Sequence, residues 1–85
     1  MTGRAGPQVV LVVREACHLC ASAREVVEQV CGERGIGWSE RDVDADPRDR
    51  ARWSDWVPVL LVDGREVDSL RVSATRLAKA LDGAQ

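Results

Sequence analysis

Residues 8–13, QVVLVV, form an unbroken apolar and β-branched run. Such a run is too short for a helix and suits a strand buried on both faces. The period then changes. Cys20, Ala23, Val27, Val30 and Cys31 fall at helical spacing on one face, while Arg24, Glu25, Glu28 and Gln29 supply a wet face. The stretch GERG at 32–35 stops this helix. Residues 36–44, IGWSERDVD, are polar on both sides inside the stretch, which predicts a short edge strand. Asp46 followed by Pro47 reads as a helix N-cap and first position, predicting a short helix to Trp53. In VPVLLVDGREV, 57–67, an apolar run meets Asp63-Gly64 and a second extended piece, which is a hairpin signature. Pro58 stands at the strand entrance, where a missing N–H is tolerated. Ser73 can cap a last helix with Ala74, Leu77, Ala78 and Leu81 on its buried face.

The predicted order is βαβαββα, an α/β chain with a four-stranded mixed sheet flanked by helices. Two β-α-β crossovers are expected to build a parallel core, and the hairpin to add an antiparallel edge. Residues 1–7 carry two Gly and a Pro and little to bury, so they are read as a flexible tail ahead of a single domain over 8–85.

Composition narrows the function. The chain has 85 residues, a formal net charge of -2 and no apolar run long enough for a membrane helix. Neither nucleic acid nor an anionic membrane is expected as partner. The N-terminus lacks the apolar stretch of a signal peptide, so a cytoplasmic protein is expected. Three cysteines are too few for a disulfide framework. Eleven arginines stand against one lysine, a bias that points to a GC-rich genome rather than to a function.

Two of the cysteines, Cys17 and Cys20, lie in EACHLCAS at the junction between the first strand and the first helix. Unpaired N–H groups and the positive end of the helix dipole meet there, and both favour a thiolate over a thiol. Cys20 follows one turn later on the same face, within reach for an intramolecular disulfide. Cys17 can therefore attack a disulfide and Cys20 can resolve the mixed disulfide. Two buried core cysteines are the plain alternative. Zinc would need four ligands, and Cys31 lies about 16 Å further along the same helix, so no metal site is expected within one chain; a metal or cluster shared between subunits is a separate reading. His18 either tunes the thiolate or is simply exposed at a helix start. Cys31 reads as a small buried hydrophobe.

With C-x-x-C on a strand-to-helix turn and WVPVLLVDG before a hairpin, the chain over 8–82 resembles the glutaredoxins of the thioredoxin superfamily, especially the small bacterial glutaredoxin-like proteins. The resemblance implies a thioredoxin/glutaredoxin-like fold, with a cis Val57–Pro58 bond lying beside the cysteines. It implies a Val57 backbone free to pair with an extended substrate. Arg14 occupies the place of a family lysine, where a cation could tune the thiolate and hold a glutathione carboxylate. The family's Gly-Gly pair is replaced by Asp68-Ser69, and its Pro-Tyr dipeptide by His18-Leu19. Trp56 replaces a small hydroxyl residue and is either a substrate contact or a loop aromatic. The implied activity is thiol–disulfide oxidoreduction on protein or glutathione mixed disulfides. It needs no tightly bound cofactor, with glutathione as a candidate co-substrate and a reductase system as partner, and a monomer is expected. A redox-sensing or binding module with little turnover is the alternative.

Overall fold

A computed structural model of the protein describes residues 6–83. Strand β1, Val9–Val13, leads into helix α1, His18–Glu33. Strand β2, Trp38–Asp42, ends in a 3₁₀ turn over Val43–Ala45, and helix α2 follows at Pro47–Trp53. The hairpin strands are β3, Val59–Val62, and β4, Arg65–Ser69, and helix α3 runs over Ala74–Gly83. The predicted order holds throughout. Of the expected tail, residues 1–5 lie outside the described residues, and Gly6 and Pro7 belong to neither strand nor helix.

The four strands lie in the order β2-β1-β3-β4. β1 and β2 are parallel, with Val9 opposite Trp38. β3, however, runs antiparallel to β1, with Val12 opposite Val59, so the sheet has a single parallel pair and the expected parallel core is corrected. The reason lies after α2. Arg14, the residue that follows β1, holds Ser54 at the end of α2 through its carbonyl and hydroxyl, at 3.0 and 2.8 Å. The chain therefore enters β3 from the end of the sheet at which β2 finished. That is also the end at which β1 gives way to Cys17.

Alternation along the strands divides the core in two. Val9, Leu11, Val13, Leu60 and Val62 face α1 and α3, where Cys20, Ala23, Val27, Val30, Cys31, Leu77 and Leu81 complete a buried cluster. Val12, Val59 and Leu61 face α2, where Val43 and Trp53 close a smaller one. The five α1 residues assigned to the buried face are its buried residues. On α3 the expectation holds for Leu77 and Leu81, while Ala74 is exposed because it sits in the first turn, ahead of the sheet.

Local signals act as the sequence implied. The Asp46 side chain accepts the Arg48 N–H at 2.8 Å to cap α2. Ser73 Oγ accepts the Arg76 N–H at 3.2 Å to cap α3. Asp63 and Gly64 both take positive φ, 52° and 82°, as a primed two-residue turn requires. Asp63 also ties the hairpin back to β1, accepting the Gln8 N–H on its side chain and donating its own N–H to the Gln8 carbonyl.

Three carboxyls sit below the usual carboxylate range. Asp44 is lowered first by its hydrogen bonds from Arg14, Asp46 by the Arg48 N–H and then the Arg48 side chain, and Asp82 by Arg34. A depressed folded value stabilises the fold above the unfolded value of about 3.9, and that contribution disappears as pH falls through the folded values. Thermal midpoints should therefore hold from pH 7 to 5 and fall below about pH 4. Calorimetry across pH checks this, and Asp82→Asn should flatten the acid limb. A midpoint unchanged down to strongly acidic pH would contradict it.

Candidate active site

β1 carries no hydrogen-bonding polar side chain and is covered on both faces, so its C-terminal end is a rigid platform. The chain leaves it through Arg14 and Glu15 and bends at Ala16, which takes φ 57°. That left-handed conformation is costly for alanine by about 1 kcal/mol. It turns the backbone so that Cys17 becomes the N-cap of α1, with extended φ -113° and ψ 116°.

The cap is a thiol. Cys17 Sγ accepts the Cys20 backbone N–H at 3.2 Å, and the Cys17 carbonyl accepts the Ala21 N–H at 3.2 Å. An N–H aimed at sulfur from the first turn of a helix is the contact that a negative sulfur uses best. Cys17 is half-buried, whereas Cys20 and Cys31 are fully buried, and all three are free thiols. Burial pushes the Cys20 thiol up to about 11, with Cys17 beside it adding to the shift. Burial also pushes Cys31 up. At pH 7–8 an alkylating reagent should label Cys17 in the native protein, and Cys20 and Cys31 only after denaturation. Tandem mass spectrometry of the labelled peptides reads this directly, and native labelling at Cys20 in preference to Cys17 would contradict it. Raised thiol values also mean that the folded state holds protons that the unfolded state has lost, so stability should decline as pH rises above about 8.5.

Facing the cysteines is the entrance to β3. The Val57–Pro58 peptide is cis, and Pro58 is buried. The β1–β3 register places this loop beside the end of β1 from which the Cys17 loop departs. Val57 and Cys17 pack against the same core cluster. Among the described residues the Val57 N–H and C=O have no hydrogen-bond partner. Next to them, the Leu70 N–H is shared between the carbonyls of Trp56 and Pro58, at 3.2 and 2.8 Å. Trp56 and Leu70 are the exposed large hydrophobic residues among those described, at 52% and 37%.

Residues 8–82 match a family described as Glutaredoxin-like domain (DUF836). The chain belongs to the glutaredoxin-like family. An uncharacterised protein of Mycobacterium tuberculosis is 36% identical over 76 residues, covering 84% of this chain and 78% of its own. A solved structure of a structural-genomics target from X. campestris is 32% identical, with a TM-score of 0.75, covering 91% of this chain and 99% of that one. Thioredoxin from Fasciola hepatica superposes with a TM-score of 0.62 at 24% identity, covering 94% of this chain and 82% of that one, which shows the shared thioredoxin fold.

In this glutaredoxin-like domain the residues singled out from sequence fall into two groups. Cys17, Cys20, Val57 and Pro58 gather at one end of the sheet, with Trp56 on the rim. Arg14 lies three residues before Cys17, but its guanidinium is bound to Asp44 and Ser54. His18 is exposed at the first position of α1.

Two residues near the site escaped sequence reasoning. Leu70 carries φ 64° and joins Trp56 on the rim. Nothing in the pattern marked it, because its placement depends on how β4 ends. Arg24, one turn after Cys20 on α1, pairs with Glu40 at 2.6 Å. Its spacing of four from Cys20 was the available signal. Asp68, which stands where the resemblance puts a glycine pair, turns inward. Its carboxylate accepts the N–H groups of Ser69 and Ser73, both at 2.9 Å, and the side chain is 11% exposed. Among the described residues no group of three or more His, Cys, Asp or Glu side chains could hold a metal ion. No helix among them is long and apolar enough to cross a membrane.

Proposed function

We propose that the protein is a thiol–disulfide oxidoreductase in which Cys17 attacks and Cys20 resolves. The observation that carries this reading is the pair itself: a half-buried Cys17 sulfur taking the Cys20 N–H at a helix start, with the Cys20 thiol buried one turn behind. The Cys17 thiolate attacks one sulfur of a substrate disulfide, and the other sulfur leaves as a thiolate that takes a proton from water. Cys20 then attacks Cys17 Sγ, releasing the second substrate thiol and leaving a Cys17–Cys20 disulfide. Two electrons have passed to the substrate, and a dithiol reductase or two glutathione thiols return them.

The arrangement also orders the two steps. Cys20 is held protonated first by burial and then by Cys17. Once Cys17 is tied up in a mixed disulfide, the second of these restraints is gone, and Cys20 becomes easier to ionise when its attack is needed. The free Val57 N–H and C=O can pair with an extended substrate segment as one strand pairs with another, with Trp56 and Leu70 flanking it. The cycle requires no prosthetic group.

The test is a turnover assay on insulin and on a small glutathione mixed disulfide, with glutathione and thioredoxin reductase systems run side by side. Activity with either donor that vanishes in Cys17→Ser supports the reading. Wild type no better than Cys17→Ser with both donors would end it.

A further inference from the structure

Arg14 is tied to two other loops by four hydrogen bonds. Nε and Nη2 reach the two carboxylate oxygens of Asp44, both at 3.1 Å, while Nη1 reaches the Ser54 carbonyl at 3.0 Å and Nη2 the Ser54 hydroxyl at 2.8 Å. Four of the five N–H donors of a guanidinium are thereby used. The three residues come from different segments. Arg14 opens the loop that carries Cys17, Asp44 lies in the 3₁₀ turn after β2, and Ser54 caps the end of α2, three residues before Val57. Asp44 is itself held in place, because its N–H bonds Asp42 and its carbonyl accepts from Arg50.

We propose that Arg14 is a positioning residue, a clamp that sets the Cys17 loop against the Val57–Pro58 loop. This rests on the oxidoreductase reading. A disulfide substrate must touch both loops at once, its sulfur at Cys17 and its backbone at Val57. No strand hydrogen bond links residues 14–17 to residues 54–57, since the β1–β3 ladder ends at Val12 and Val59. The Arg14–Ser54 bonds span that gap. Lysine cannot replace the arginine, because an ammonium lacks the planar fork that serves a carboxylate, a carbonyl and a hydroxyl together.

The experiment uses the full chain and the variants Arg14→Lys, Arg14→Met and Ser54→Ala, each first shown by circular dichroism to be folded at the assay temperature. Arg14→Lys and Ser54→Ala should raise KM for insulin about tenfold, the scale expected when two reactive elements lose their mutual placement. The rate of Cys17 alkylation by iodoacetamide should not change, because that reagent meets only one loop. An unchanged KM in both variants would overturn the clamp. So would an Arg14→Lys that behaves as wild type while Arg14→Met alkylates slowly, because charge rather than placement would then be at work. If the wild type itself turns over no disulfide, the oxidoreductase reading fails and the clamp is still read by amide hydrogen exchange. Faster exchange across 54–57 in Arg14→Lys supports it, and unchanged exchange overturns it.

Discussion

Cys17→Ser is expected to bring insulin reduction down to the uncatalysed rate, a loss of roughly 10³-fold or more. A serine hydroxyl can still accept the Cys20 N–H and cap α1, so the fold should persist with a thermal midpoint close to wild type. The loss would then be chemical, since an alcohol neither ionises near neutral pH nor leaves from sulfur. Cys20→Ser should act differently. Attack by Cys17 remains, but the thiol buried behind it is gone, so the protein should accumulate as a mixed disulfide with its substrate. Non-reducing electrophoresis shows this as a band at the summed mass that collapses with dithiothreitol. A Cys17→Ser protein that retained turnover, or a Cys20→Ser protein that formed no adduct, would place the chemistry elsewhere.

Trp53→Ala is expected to cost about 3–5 kcal/mol, against a total stability on the order of 4–13 kcal/mol for a chain this long. The cluster beneath α2 is small: Val12, Val43, Val59 and Leu61 close around this one indole. Arg41 and Arg52 lie over the ring at 5.7 and 5.2 Å, and the Trp53 N–H donates to Glu66 at 2.9 Å. Removing the ring would open a cavity that three aliphatic side chains on a rigid sheet and one on the adjoining turn cannot fill. Trp53→Phe keeps most of the volume and releases an exposed carboxylate to water, so it should cost about 1–2 kcal/mol. Urea denaturation of both variants separates them, and equal losses would show that the indole N–H rather than the packing matters most.

The element order was legible because most segments carry either a dominant period or a strong boundary signal. The β-branched run of β1, the five-residue stripe of α1 and the Asp46-Pro47 start of α2 are local properties and survive folding unchanged. The strand directions were less legible. Whether a seven-residue helix returns the chain to the far end of the sheet depends on distances that no periodicity reports, so β3 was expected parallel to β1 and is antiparallel. The same distinction runs through the site. Cys17, Cys20 and the cis Val57–Pro58 bond were readable from two motifs and a resemblance. Arg14 was read as a cation held ready for a ligand, yet Asp44 and Ser54, 30 and 40 residues away, take it up. Leu70 was invisible because its exposure arises only where β4 lets go of its neighbour.

Asp68 has a consequence for any carboxylate-bearing co-substrate. Its side chain already satisfies the N–H groups of Ser69 and Ser73 at the place where the resemblance puts a Gly-Gly pair. On the proposed oxidoreductase reading, that carboxylate would occupy N–H groups that such a ligand's anionic end would otherwise use. A free carboxylate arriving from solution must displace a tethered one, and tethering over a few bonds gives an effective concentration of mM or more, on the order of that found with short flexible linkers. Under the proposed reading, competition on those terms would favour substrates that bind through their backbone and apolar side chains over those that bind through charge.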